Sequence, residues 1–110
     1  MADLRDPNKA VDFIIQNAPM FAAARAERVY LEEFRKAKKA LLMKKSDKSS
    51  SVAQETDAYA HPEYIELLDG LRAAVEREET LRWNLVAAQA RVEIWRTQEA
   101  SNRAQDRSTR

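Results

Sequence analysis

HPEYIELLDGLRAAVEREETLRWNLVAAQARVEIWRTQEASNR, running from His61 to Arg103, is the stretch that decides the fold. Within it Leu67, Leu71, Ala74, Leu81, Leu85, Ala88, Val92 and Trp95 recur at alternating steps of four and three, and only Glu78 and Glu99 interrupt the stripe. This spacing draws one apolar edge along a long helix. A helix of about forty residues is about 60 Å long, and a small chain folding into a ball cannot cover an edge of that length. The edge needs helices packed along it, from this chain and from other copies.

Composition agrees. The 110 residues include one glycine, three prolines, no cysteine and 34% charged side chains, which describes an elongated, nearly all-helical protein rather than an ordinary globule. No segment pairs β-branched or aromatic alternation with Asn-Gly or Asp-Gly turns, so the fold class is all-α. A two-helix layer buries a small share of its surface, and homo-oligomerisation through coiled-coil-like packing is the expected remedy. Without cysteine there are no disulfides or thiolate ligands, in keeping with a reducing cytoplasm. The opening Met-Ala-Asp-Leu-Arg-Asp lacks a basic segment followed by an apolar core, and no apolar run is long enough to span a bilayer. A cytoplasmic protein with no membrane partner is expected.

Working outward from the long helix, His61-Pro62 reads as a cap followed by the first helical position, with Glu63 and Glu66 at the positive end of the helix dipole. Upstream, Asp6-Pro7 is another helix start, and Phe13, Ile14 and Ile15 give that segment an apolar face that docks on a neighbour. Pro19 disfavours helix in its predecessor, so a stop near Asn17 is expected, leaving residues 1–18 as a short helical appendage. A second helix should run from Pro19 to about Lys45 with Tyr30, Leu31, Phe34, Ala37, Leu41 and Leu42 as its apolar face. The polar run Ser46 to Ser51 opens a flexible loop over 46–60, in which Val52 to Ala60 forms at most a weak helical turn. The pattern fades after Trp95, so Ser101 onward should fray, with 106–110 as the tail. The organisation is a helical hairpin over 19–105 with a short N-terminal helix.

The formal net charge of +1 hides segregation. Arg35, Lys36, Lys38, Lys39, Lys44, Lys45 and Lys48 form a basic run broken by the single acid Asp47, whereas eight acids lie between Gln54 and Thr80. Two readings compete. The run can be a cationic patch that neutralises phosphates without sequence preference. Alternatively, in an antiparallel hairpin it lies beside the acidic start of the long helix and its charges set the register. Trp83 after Arg82, Trp95 before Arg96, and Tyr30 and Phe34 near the basic run add the mixture of rings and cations that holds single strands. Trp95 falls on the apolar edge and reads as core; Trp83 falls off it and suits a second interface.

His61 is the only histidine, and with no cysteine neither a zinc site nor a nucleophile–histidine dyad has members. One glycine rules out phosphate-cradling loops, and no cofactor is expected. Gly70 inside the long helix should mark a close approach of another backbone.

The residues Ala58-Tyr59-Ala60-His61-Pro62-Glu63-Tyr64, Leu81-Arg82-Trp83 through Ala88-Gln89, Ile94-Trp95-Arg96 and Ala100-Ser101-Asn102-Arg103-Ala104 resemble small helical proteins of tailed bacteriophages. From about Met20 to Arg103 the layout is similar to the UvsY-type recombination mediators: a lysine-rich helix, a polar loop, then a long C-terminal helix through which subunits assemble. The resemblance implies single-stranded DNA contacts at Lys36, Lys38, Lys39, Lys44 and Lys45, and help in loading a recombinase or annealing protein while a single-strand-binding protein is displaced. It also implies oligomer contacts from Leu81, Leu85, Val92 and Trp95. With Leu67 and Leu71 of the edge and with Trp83 beside it, the expected oligomer interface is Leu67, Leu71, Leu81, Trp83, Leu85, Val92 and Trp95. The chain departs from those mediators in being shorter and in its Pro19-terminated first helix. The expected function is a non-enzymatic recombination or replication accessory in the host cytoplasm. The alternative is a protein–protein module, such as an inhibitor of host defence or an assembly adaptor.

Overall fold

The computed structural model describes residues 5–109. Residues 1–4 and Arg110, the extremes of the expected appendage and tail, lie outside the described residues. Three helices carry the chain: α1 (Pro7–Lys45), α2 (Ser51–Ala60) and α3 (Pro62–Ser108). No strand occurs among the described residues, and no helix there is long and apolar enough to cross a membrane.

α1 begins as its sequence dictates. The Asp6 carboxylate accepts from the Asn8 N–H at 2.9 Å, and Pro7 occupies the first helical position, where its missing N–H is not needed. The expected stop near Asn17 does not occur; α1 runs through Pro19 to Lys45. Pro19 removes one backbone hydrogen bond and normally breaks a helix. Burial on both sides of it outweighs that loss. Ala10, Ile14, Asn17, Phe21, Ala24, Arg28 and Leu31 follow one another at alternating steps of four and three straight across the proline, all buried or half-buried. The Asn17 amide also donates to the Phe13 carbonyl at 2.8 Å, tying down the preceding turn.

The expected flexible loop shrinks to Ser46–Ser50. Ser50 caps α2, its hydroxyl accepting from the Ala53 N–H at 3.1 Å. The Ser46 hydroxyl donates to Asp57 at 2.7 Å, and the Gln54 amide donates to the Lys48 carbonyl at 2.9 Å. His61 then ends α2 and starts α3: its N–H donates to the Ala58 carbonyl at 3.2 Å, while its Nδ1 accepts from the Glu63 N–H at 3.1 Å. The expected fraying from Ser101 is also absent: α3 continues to Ser108 with its side chains exposed, Arg103, Ala104, Gln105 and Arg107 being the good helix formers among weaker ones.

Contacts divide the chain into two compact units. One comprises Met1–Ala22 with Thr80–Arg110, the other Ala23–Glu79. In the first, buried Ala10 and Ala88 meet, with Phe13, Ile14 and Val92 packed around them. In the second, Leu42, Ala58 and Tyr64 form the core, flanked by Met43. Arg28 pairs with Glu78 and Lys38 with Glu63, so in this unit α1 and α3 run antiparallel.

The apolar edge of α3 therefore finds much of its partner within the same chain. Leu67, Leu71, Leu81, Leu85 and Val92 are half-buried, whereas Trp95, expected in the core, is 45% exposed. Glu78, which interrupts the edge, is only 7% exposed. It accepts two hydrogen bonds from the Arg28 guanidinium, at 2.6 Å from Nε and 3.0 Å from a terminal nitrogen. The Glu78 bond is the main cause holding the Arg28 guanidinium above its ordinary range. A slipped register would leave a buried carboxylate unpaired, so the pair fixes the alignment of the two helices. On α1 the expected apolar face splits: Leu31, Phe34 and Leu42 turn inward, while Tyr30, Ala37 and Leu41 face water.

Candidate nucleic-acid interface

All seven candidate cations fall within the Ala23–Glu79 unit, and the geometry sorts them. On a helix, residues i, i+1 and i+4 share one side, which groups Arg35, Lys36 and Lys39. These three line a cleft of about 620 Å³ together with Ala40, Met43, Tyr59 and Tyr64. The Lys39 ammonium sits 4.9 Å from the centre of the Tyr59 ring and 3.5 Å from the Glu55 carboxylate. Tyr59 is the largest cause raising the Lys39 pKa above its ordinary value, and Glu55 adds to it. Lys39 therefore stays charged at neutral pH.

Lys38 and Lys45, seven apart, lie on the other side of this group and serve α3 instead. The Lys38 ammonium is 3.3 Å and that of Lys45 4.0 Å from Oε2 of Glu63, which His61 Nδ1 also approaches at 4.0 Å. That oxygen is withdrawn from water. The surrounding nitrogens, Lys38 first, hold the Glu63 carboxyl below its ordinary value. Lys44 is exposed, and Lys48, in the linker, lies 3.9 Å from Asp47. The register reading thus describes Lys38 and Lys45; in the cleft Arg35 and Lys36 are exposed, Lys36 at 3.4 Å from Glu33 of its own helix, while Lys39 is half-buried against Glu55 and Tyr59.

Tyr59 and Tyr64 are the residues that a reading of the basic run overlooks. They meet edge to face, with ring centres 5.2 Å apart and planes inclined by 74°. Tyr64 is buried and Tyr59 is 44% exposed, so one ring buttresses the other, which remains open to a ligand. Their positions on either side of the His61-Pro62 break were the available signal. Two helices meeting at a sharp turn bring residues five apart into contact.

The other aromatics are placed elsewhere. Tyr30 and Phe34 stack with ring centres 5.8 Å apart, and Phe34 lines a second groove of about 360 Å³ with Lys38, Glu63, Glu66, Leu67 and Gly70. Gly70 has no close neighbour: a Cβ added there would meet nothing within 4 Å. The expected close backbone approach is absent within the described residues. Trp83 and Trp95 belong to the other unit, where the Arg82 guanidinium lies 5.2 Å from the centre of the Trp83 ring.

No protein-family model, curated protein or solved structure matches this chain.

Proposed function

We propose that the chain binds single-stranded nucleic acid along the cleft of Arg35, Lys36, Lys39 and Tyr59. In this reading it is a non-enzymatic, homo-oligomeric accessory of phage recombination or replication that helps load a recombinase or annealing protein. One observation carries the binding step: three cations and a half-exposed, buttressed aromatic ring line one open cleft. Single strands are held by that pairing, because phosphates meet point charges while bases stack on rings without sequence preference. The mediator role draws on the likeness of layout to the UvsY-type proteins.

A second reading, a protein–protein module, is favoured by the ion pairs of Glu63 and Glu55, which occupy Lys38, Lys45 and Lys39. Fluorescence anisotropy with a labelled oligothymidine at low salt separates the two. The first reading expects binding that weakens at least about tenfold, or about 1.4 kcal/mol, in Tyr59→Ala and in Arg35→Glu combined with Lys36→Glu. Absence of binding at low salt, or binding indifferent to these changes, would leave the protein module as the surviving reading.

A further inference from the structure

Lys39 leaves α1 and reaches across the cleft to α2. Its ammonium stands over the Tyr59 ring, 4.9 Å from the centre, and 3.5 Å from the Glu55 carboxylate. Glu55 and Tyr59 are four residues apart on α2, so both lie on one side of that helix and receive the same side chain. The Lys39 side chain is 30% exposed, whereas that of Lys36, which pairs with Glu33 of its own helix, is 74% exposed. Lys39 is thus drawn down onto the ring. Tyr64, part of the small core with Leu42 and Ala58, meets the same ring edge to face. The cleft holds an aromatic platform for a base, and a cation lies over it.

We propose that Lys39 is a strap across the stacking ring, latched by Glu55, and that an arriving single strand opens it; this rests on the cleft being the nucleic-acid site. Opening is an exchange of partners. A phosphate takes the ammonium from Glu55, and a base takes the ring face that the ammonium leaves. The strap yields because an exposed ion pair and an exposed cation–ring contact are each weak, while a strand supplies a phosphate and a stacking base together. Inorganic phosphate or a free nucleoside offers only half of that exchange. Arg35 and Lys36, exposed on the neighbouring turn of α1, meet the rest of the backbone with no such rearrangement on α2. Glu55 is therefore a positioning residue: it lowers the affinity of the cleft by keeping Lys39 on the ring in the unbound protein.

In fluorescence anisotropy with labelled oligothymidine at low salt, Glu55→Gln should bind about threefold more tightly than the unaltered chain, the scale of one exposed ion pair, with helical circular dichroism unchanged. In a Lys39→Gln background the same change should give no gain, which separates release of Lys39 from a general loss of negative charge. The strap itself is read by NMR. The Lys39 ε-methylene protons, assigned by their disappearance in Lys39→Gln, should be shifted upfield by the Tyr59 ring in the unbound protein and move toward the exposed lysines as oligothymidine is added. A Lys39 signal without that shift, or unmoved when the strand binds, would overturn the strap and leave the cleft reading intact. A missing gain in Glu55→Gln, or a gain that persists without Lys39, would do the same. No binding by the unaltered chain would end both.

Discussion

Replacing Gly70 by alanine should stabilise the protein, and the expected size can be worked out from the structure. Gly70 lies inside the 47-residue α3, away from either cap, with no positive φ that would require a glycine. In a helix interior glycine is about 0.8 to 1.0 kcal/mol less favourable than alanine, because the unfolded chain has more freedom to lose. A new Cβ would meet nothing within 4 Å, so no clash offsets that gain. For a domain of about this size, 1 kcal/mol raises the melting temperature by about 4 °C. Thermal melts and urea titrations followed by helical circular dichroism would measure it, and the urea slope should stay unchanged because the surface exposed on unfolding is the same. A neutral or destabilising outcome would refute the reasoning. If that loss appeared only at concentrations where the chain associates, it would place another copy's helix in the groove beside Phe34 and Leu67.

Two further perturbations test the packing. Leu42 is 2% exposed against Ala58 and Tyr64, so Leu42→Ala should destabilise by about 3 kcal/mol in chemical denaturation, and a loss below about 1 kcal/mol would mean the small core does not hold α2 in place. Glu63 has its carboxyl pKa depressed in the folded state. The stability it contributes is present above the unfolded value near 4.5 and lost as pH falls through the lower folded value. Glu63→Gln should therefore flatten the loss of stability as pH falls below about 4.5, and an unchanged acid profile would show that Lys38 and Lys45 do not act on it.

Much of the fold could be read before the structure. The four-and-three spacing of α3, the Asp6-Pro7 start and the His61-Pro62 junction all appear in the sequence and in the structure. The continuity of α1 was equally written there, since Ala10, Ile14, Asn17, Phe21, Ala24 and Arg28 keep their spacing across Pro19. Local proline chemistry argued for a stop, and burial along an entire helix overrode it. The role of Glu78 was hidden because its partner Arg28 is fifty residues away on the other arm of the hairpin. The basic run was visible as composition, but its division between Glu63 and the cleft depends on which way each side chain leaves α1. The contribution of Tyr59 and Tyr64 depends on a turn between two helices, which periodicity within either helix does not report. α2 itself was underestimated because its ten residues owe their order to the Ser50 cap and to the Ser46 and Gln54 side-chain bonds.

Phosphate contact at the cleft is the step on which the proposed function depends most, and the salt dependence of oligothymidine affinity tests it most directly. With Arg35, Lys36 and Lys39 as the contacting cations, the logarithm of the association constant should fall against that of salt concentration with a slope of about −2, from about −0.7 per phosphate neutralised on a single strand. Neutralising all three to glutamine should bring the slope close to zero. A flat dependence in the unaltered protein, or a slope that survives the triple substitution, would contradict it.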